Sequence, residues 1–224
     1  MNLFNYESKP MQILMQLGDL IILNLLFLLC CIPIFTIGAA QAGLYSGVKA
    51  MQDPEDDTYV ATAFFKGFRT GFGSVTIAWC VLFVVELVLV VVMYACAYYQ
   101  QVMNAQLPLW ASIIGFGIVA TFQSLVTVFH SRFSCTAWQL LRNVWYLFVA
   151  HPIRSLGVAV VTWFPMIFFV VTDLPLFMAL TPIWLAIYFS GAFHFSYSFM
   201  KKPFQTLIDQ FNENQDAEKE DTEE

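Results

Sequence analysis

Charged residues are scarce in this sequence, since Asp, Glu, Lys and Arg together make up 12% of its 224 residues. The surface of a soluble domain usually carries roughly 25–35% charged residues, so the chain does not have the composition of an ordinary soluble globule. Lys and Arg together number only 10, too few for the basic surface that nucleic-acid binding requires. The composition therefore excludes nucleic acid as a partner and ordinary cytosolic enzymes as a class.

The sequence also lacks the short patterns that carry catalytic or cofactor chemistry. It contains no Gly-x-Ser-x-Gly turn, no His-Glu-x-x-His pair and no glycine-rich phosphate loop. Its 5 cysteines include no Cys-x-x-Cys pair, and their odd number gives no disulfide framework. The 3 histidines, His130, His151 and His194, lack the spacing of metal ligands. We therefore expect no enzymatic activity, no metal site and no cofactor.

Long apolar runs dominate the rest of the chain, because 59% of the residues are hydrophobic and 17% are aromatic. Five runs can cross a hydrocarbon core of about 30 Å as helices, and they lack the alternation of membrane strands. They cover residues 20–37, 74–97, 107–128, 155–171 and 175–195. The sequence predicts an all-α, multi-pass membrane protein with five transmembrane helices in a single domain over residues 1–205.

Basic residues alternate between the predicted loops. The segments before, between and after the five spans hold 1, 3, 0, 3, 0 and 3 Lys or Arg residues in chain order. Because basic loops remain in the cytoplasm, this pattern places the N-terminus outside and the C-terminus in the cytoplasm. A signal peptide cleaved near Ala42 is the competing interpretation of the first span. It lacks a basic n-region, and Pro33 interrupts its apolar run.

Acidic residues are concentrated at the C-terminus. Residues 206–224 hold 8 of the 16 acidic residues and one lysine, so this segment alone outweighs the net charge of −6. Almost no apolar residue follows Phe211. We therefore predict that residues 206–224 form a disordered acidic tail on a nearly neutral membrane domain.

Two shorter segments have the pattern of amphipathic helices at a membrane interface. Residues 58–69 and 138–149 lie in the two predicted cytoplasmic loops, and both contain aromatic and basic residues. We predict that both lie on the inner surface of the membrane. Two interpretations of their similarity remain open. In the first, spans one and two repeat as spans three and four, each pair forming a hairpin with one surface helix. In the second, the two loops are unrelated and each simply ends in a basic anchor. The predicted contacts with a partner or with lipid are Lys66, Arg69, Arg132, Arg142, His151 and Arg154.

Glu86 lies at the middle of the second predicted span and is the one charged residue near the bilayer centre. A charge at that depth costs about 2.5–3.5 kcal/mol on insertion scales, which makes it a functional candidate. Asn24 and Gln123 are further intramembrane polar candidates, whereas we interpret Trp79 as an interface anchor. Two roles for Glu86 remain open. It is either a protonated hydrogen-bond donor that fixes helix packing or a relay for protons or cations.

The final observation concerns residues 24–38, residues 64–69 and His151 followed by Pro152. In these segments the chain resembles the YesL family of bacterial integral membrane proteins. The motif is carried by Asn24, Pro33, Thr36 and Gly38. The family has no assigned function, so the resemblance implies no catalytic residues. It does imply a bacterial plasma-membrane protein associated with carbohydrate uptake.

We therefore expect an accessory or regulatory membrane protein whose partners are the lipid bilayer and a sugar transport complex. The alternative is a small transporter or channel that uses the intramembrane carboxyl group of Glu86. The sequence specifies neither a ligand nor an oligomeric state.

Overall fold

The structure is a computed structural model that describes residues 9–52, 58–99, 106–133, 135–171 and 174–223. Over these ranges the protein is all-helical and contains no strand, which confirms the predicted class. The helices are α1 (Lys9–Cys30), α2 (Ile37–Gln52), α3 (Val60–Tyr98), α4 (Gln106–His130), α5 (Ala137–Ala150), α6 (Pro152–Val171), α7 (Leu174–Ile183) and α8 (Phe189–Glu223). A 3-10 turn, Ile34–Thr36, precedes α2, and a π-helical turn, Trp184–Tyr188, joins α7 to α8.

Two of these helices, α3 and α4, are each long and apolar enough to cross a membrane. Two further candidates arise if α5 with α6, bent by 113°, and α7 with α8, bent by 56°, each form one span. The described part of the chain thus contains 2 to 4 candidate spans. A membrane protein is supported, but the five-span topology is not confirmed.

The first predicted span, residues 20–37, is divided between two helices. Helix α1 ends at Cys30, and Pro33 adopts an extended backbone conformation before the 3-10 turn. The hydroxyl oxygen of Thr36 lies 2.6 Å from the carbonyl oxygens of both Cys30 and Pro33. The Thr36 hydroxyl group thus donates a hydrogen bond to the carbonyl groups at the end of α1 and in the turn that follows it. Pro33 and Thr36 therefore build a helix break inside what the sequence presents as one apolar run.

Helix α2 packs antiparallel along the first half of α3. A Cβ atom added to Gly47 would lie 3.3 Å from the carbonyl oxygen of Val60. One added to Gly38, at the other end of α2, would lie 2.8 Å from Cβ of Trp79. Small residues allow this close approach between the two helices, as the glycine- and alanine-rich composition of the segment predicts.

Residues 58–69 do not form a separate surface helix, so that prediction is wrong. From Val60 onward they belong to α3, which continues for 39 residues, or about 58 Å. The side chain of Phe64 is fully buried, while Lys66 and Arg69 are exposed. The physical reason is that α2 covers one side of this segment and removes its apolar residues from the surface.

The other predicted surface segment, residues 138–149, is helix α5. A capping box at Thr136 and Gln139 starts this helix, and its inward side buries Leu140, Val144 and Leu147. The α5–α6 pair is bent by 113°, whereas α2 lies along α3. The two predicted hairpins thus place their connecting helices differently, which argues against the repeat.

The last helix continues to Glu223, and its side chains are described as far as Thr206. The expected disorder of residues 206–224 and the limit of the membrane domain at residue 205 both stay predictions.

Candidate functional site

Glu86 is buried in the helix bundle, with 3% of its surface exposed. In the amide orientation that matches donors with acceptors, Nε2 of Gln123 donates to Oε1 and Oε2 of Glu86, at 3.0 and 3.1 Å. Oε1 of Gln123 then accepts from Nε1 of Trp79 at 3.2 Å. The structure thus joins two of the predicted polar candidates, Glu86 and Gln123, in one hydrogen-bond network that links α3 to α4.

Trp79 is the member of this network that the sequence interpretation misses. We interpret it from sequence as an interface anchor, but only 5% of its surface is exposed and its indole N–H is bonded to Gln123. The sequence spacing could have indicated this role, because Trp79 and Glu86 are two helical turns apart and therefore share a face of α3. Buried polar groups need partners of this kind, since an unpaired one loses its hydration without compensation.

Asn24 has a different role from Glu86. It is fully buried on α1, and its Oδ1 accepts from the backbone N–H of Ser190 at 3.1 Å. Ser190 lies just after the π-helical turn, where the regular backbone hydrogen-bond pattern changes. Asn24 therefore ties α1 to the start of α8.

Pro165 lies inside α6, whose preceding turn contacts the same π-helical turn. A proline has no N–H group, so Pro165 cannot donate the usual helical bond to the carbonyl oxygen of Val161. The hydroxyl group of Tyr188, from the π-helical turn, donates to that oxygen instead. The Val161 carbonyl, which loses its usual helical donor to the proline, thus accepts from a side chain of another helix, as prolines inside helices require in an apolar environment.

A cavity of about 290 Å³ borders the network. Gln123 and Trp79 form part of its wall, and other helices contribute further residues. These include Phe27, Ile37, Gln41, Thr162, Trp163 and Pro165. Oε1 of Gln41 is buried and has no hydrogen-bond partner among the described residues. The cavity therefore has a mostly aromatic and apolar wall with a few amide and hydroxyl-bearing side chains, near the break between α1 and α2 and near Pro165.

The predicted basic contacts lie toward one end of the bundle, which we call the basic end. Helices α3 and α4 are antiparallel, because Glu86 meets Gln123 while Leu89, farther along α3, lies near Gly115. The basic end therefore comprises the start of α3, the end of α4, α5 and the start of α6. It holds Lys66, Arg69, Arg132, Arg142, His151 and Arg154. His151 forms the junction between α5 and α6.

Helix α5 displays an exposed strip at the basic end, which we call the α5 face. Its members Trp138, Arg142, Trp145 and Val149 recur at helical spacing and are all exposed. Trp138 is 77% exposed and Trp145 is 53% exposed. Arg132, unlike the exposed side chains of the α5 face, has a partner within the protein. Its guanidinium carbon lies 4.9 Å from the centre of the Tyr197 ring, within cation–π distance.

Replacing Gln123 with Leu is expected to destabilise the protein by about 1–3 kcal/mol, because Glu86 and Trp79 both lose a buried partner. Glu86→Gln is expected to have a smaller effect, since it keeps an acceptor oxygen for Gln123 at nearly the same volume. Thermal unfolding midpoints in one detergent provide the comparison. Equal midpoints for both variants and the unmodified chain would show that the network contributes no stability.

Comparison with known proteins yields one family match. A family model described as "Protein of unknown function, DUF624" matches residues 20–93. The matched region contains the second half of α1, all of α2 and most of α3, including Trp79 and Glu86 but not Gln123. No curated protein and no solved structure matches the chain. The similarity thus concerns the first three helices and names neither a ligand nor a partner.

Proposed function

We propose that this chain is a YesL-type membrane protein that acts as a non-enzymatic accessory or regulatory component of carbohydrate uptake in the bacterial plasma membrane. The matched family model is the domain of YesL-type proteins, which supports the family part of the proposal. The link to carbohydrate uptake comes from the resemblance of the motif segments. The proposed partner is a sugar transport complex.

The α5 face is the observation that carries the accessory role. Tryptophan and arginine side chains are enriched at the energetic centres of protein interfaces, and tryptophan also favours the membrane–water boundary. On α5 these residue types are exposed together, while the opposite side of the helix is anchored by Leu140 and Leu147. A helix that is packed on one side and carries exposed tryptophan and arginine side chains on the other offers a docking surface to a membrane-bound partner.

A photo-crosslinking residue at Trp145 tests this proposal in native membranes. We expect it to capture a subunit of a transport complex, because this side chain is 53% exposed, while its ring also packs against Phe122 of α4 with the ring centroids 5.6 Å apart. The matched control is the same crosslinker at Leu140, which is fully buried on the same helix and should give only internal products. Capture of lipid alone at Trp145 would contradict the accessory role.

We also infer a topology with four crossings, formed by α3, α4, α6 and the α7–α8 pair. The turn between α1 and α2 lies beside Trp79, and α3 continues for 19 residues beyond it, or about 28 Å. Helices α1 and α2 would therefore enter and leave from the inner side. Four crossings would put all 10 Lys and Arg residues on the inner side of the membrane, as the positive-inside rule favours. Five crossings would leave Lys9 outside.

The alternative function, a small transporter or channel that uses Glu86, has the cavity beside Gln123 in its favour. Because Glu86→Gln is expected to keep the fold, this variant can test the alternative in reconstituted vesicles. Proton or solute flux that disappears in Glu86→Gln would favour transport. Flux no greater than that of empty vesicles would leave the accessory proposal as the better one.

A further inference from the structure

A second and larger cavity lies where α3, α4 and α6 meet, and we call it the α6 groove. Its volume is about 570 Å³. Small residues leave room for it, since Gly117, Ala120 and Ala159 all belong to its lining. Larger apolar side chains also line it, and two of them, Leu156 and Val160, are 51% and 54% exposed. The groove is therefore open to the surroundings of the bundle.

The polar side chains that line the α6 groove are already hydrogen-bonded within the protein. The hydroxyl group of Thr121 donates to the carbonyl oxygen of Gly117 at 2.8 Å. Nε1 of Trp163 donates to the carbonyl oxygen of Ala120 at 3.3 Å. No charged side chain is among the described residues of the lining. A polar ligand would lose its hydration there without gaining a partner, so the groove fits an apolar occupant.

The α6 groove extends over about half the thickness of a membrane. Helices α3 and α4 are long and apolar enough to cross the bilayer. On both helices the groove residues lie between the Glu86–Gln123 pair and the end of the bundle opposite the basic end. The lining covers residues 113–121 of α4 and 156–167 of α6, or about 12 and 17 Å along the helix axes. One leaflet of a hydrocarbon core about 30 Å thick provides roughly 15 Å, so the groove has the length of one leaflet.

A membrane-crossing helix, from a second copy or from a partner, is the competing occupant of the groove. A helix with its side chains is about 10–12 Å wide, so a length of about 15 Å occupies roughly 1,200 Å³ or more. That is about twice the groove volume of about 570 Å³. An acyl chain is a single carbon chain, and its contact distance of about 4 Å lets it enter fully. Both the length and the volume therefore favour an acyl chain.

We propose that the α6 groove binds one acyl chain of a membrane phospholipid, from the leaflet opposite the basic end. The rings of Phe116 and Trp163, with their centroids 5.9 Å apart, form an aromatic wall for the chain. An empty apolar groove would forfeit the dispersion contacts of the atoms that line it, and the acyl chain supplies them. The groove is separate from the α5 face, so this site does not depend on the accessory role.

Native mass spectrometry of the full chain in detergent tests the site, with dioleoylphosphatidylcholine as the titrated lipid. We expect one lipid to bind each chain saturably. Dihexanoylphosphatidylcholine, which has the same headgroup and six-carbon chains, should bind much more weakly. This comparison separates recognition of the acyl chain from recognition of the headgroup.

Gly117→Leu is the variant that should close the groove. Nothing lies within 4 Å of a Cβ atom at Gly117, so the leucine side chain can occupy the groove without a clash at its base. It should weaken the apparent affinity for the dioleoyl lipid about tenfold. Gly73→Leu is the matched control, because a Cβ atom there also meets nothing within 4 Å and Gly73 lies outside the groove. Its affinity should equal that of the unmodified chain.

A second measurement needs neither detergent nor a substitution. The full chain is placed in phosphatidylcholine nanodiscs that contain a small fraction of the same lipid with a photoreactive diazirine midway along one acyl chain. We expect the adducts to be concentrated on residues 113–121 and 156–167. Val84 and Val88 of α3 provide the internal control, because they are 58% and 57% exposed but lie outside the groove.

Four results would each overturn the proposal. The first is an even spread of adducts over the exposed apolar surface, Val84 and Val88 included. The second is equal affinity of Gly117→Leu and Gly73→Leu for the dioleoyl lipid. The third is equal binding of the dioleoyl and dihexanoyl lipids. The fourth is a change from dimer to monomer in Gly117→Leu without a change in lipid binding, which would identify a second copy as the occupant.

Discussion

Gly43→Ala and Gly67→Ala are expected to destabilise the folded protein, whereas Gly73→Ala should leave it equally or slightly more stable. A Cβ atom at Gly43 would lie 2.8 Å from the backbone carbonyl oxygen of Phe64. One at Gly67 would overlap Ser46 and lie 2.9 Å from the carbonyl oxygen of Ala42. Nothing lies within 4 Å of a Cβ atom at Gly73.

The opposite signs follow from two competing effects. Replacing glycine by alanine inside a helix favours folding by about 1 kcal/mol, because alanine has the higher helix propensity. Added volume in a closely packed interface costs typically 1–3 kcal/mol, and here the opposing atoms include backbone atoms that cannot rotate away. At Gly43 and Gly67 the packing cost should exceed the propensity gain, while at Gly73 only the gain applies.

The measurement is the thermal unfolding midpoint together with the monodisperse fraction after detergent extraction. Gly73 is the matched control, since it lies on the same helix as Gly67 and receives the same substitution. Midpoints that rise for all three variants would show that α2 does not pack closely on α3 in the membrane.

Some elements of the fold could be predicted because their own sequence determines them. Helices α4 and α5 lie within a few residues of their predicted limits, since each has a continuous pattern and clear ends. The contact between Glu86 and Gln123 was also accessible, because polar groups in apolar surroundings must find each other. The pairing of Asn24 with the backbone of Ser190 was not, since a backbone partner leaves no residue-type signal.

Helix α2 shows why the rest could not be predicted. Its glycine- and alanine-rich sequence is neither long nor strongly apolar, and its burial depends on the shape of α3 rather than on its own pattern. The same packing hides Phe64, which the sequence alone assigns to a surface helix. Likewise, the apolar run at residues 20–37 has the length of a crossing helix, although Pro33 and Thr36 fold it into a turn.

The four-crossing and five-span topologies differ most clearly in where they place the N-terminus. We expect Lys9→Cys in a cysteine-free chain to show that the N-terminus is cytoplasmic. In intact cells a membrane-impermeant maleimide should fail to label this variant, and permeabilisation should restore labelling. The reason is geometric, because α1 and α2 reverse direction beside Trp79, far from the end of α3 at Tyr98. The five-span topology makes the opposite prediction, since it places Lys9 outside.

Two variants calibrate this labelling experiment. Tyr98→Cys, at the far end of α3 and 72% exposed, should be labelled in intact cells, while Arg142→Cys, on the α5 face, should require permeabilisation.

The hairpin formed by α1 and α2 can reverse inside an apolar environment because its turn satisfies its own backbone groups. Cys31 donates to the Phe27 carbonyl at 2.9 Å, and the Thr36 N–H donates to the Pro33 carbonyl at 3.0 Å. Labelling of Lys9→Cys in intact cells, to the same extent as Tyr98→Cys, would exclude the hairpin topology and restore the first crossing.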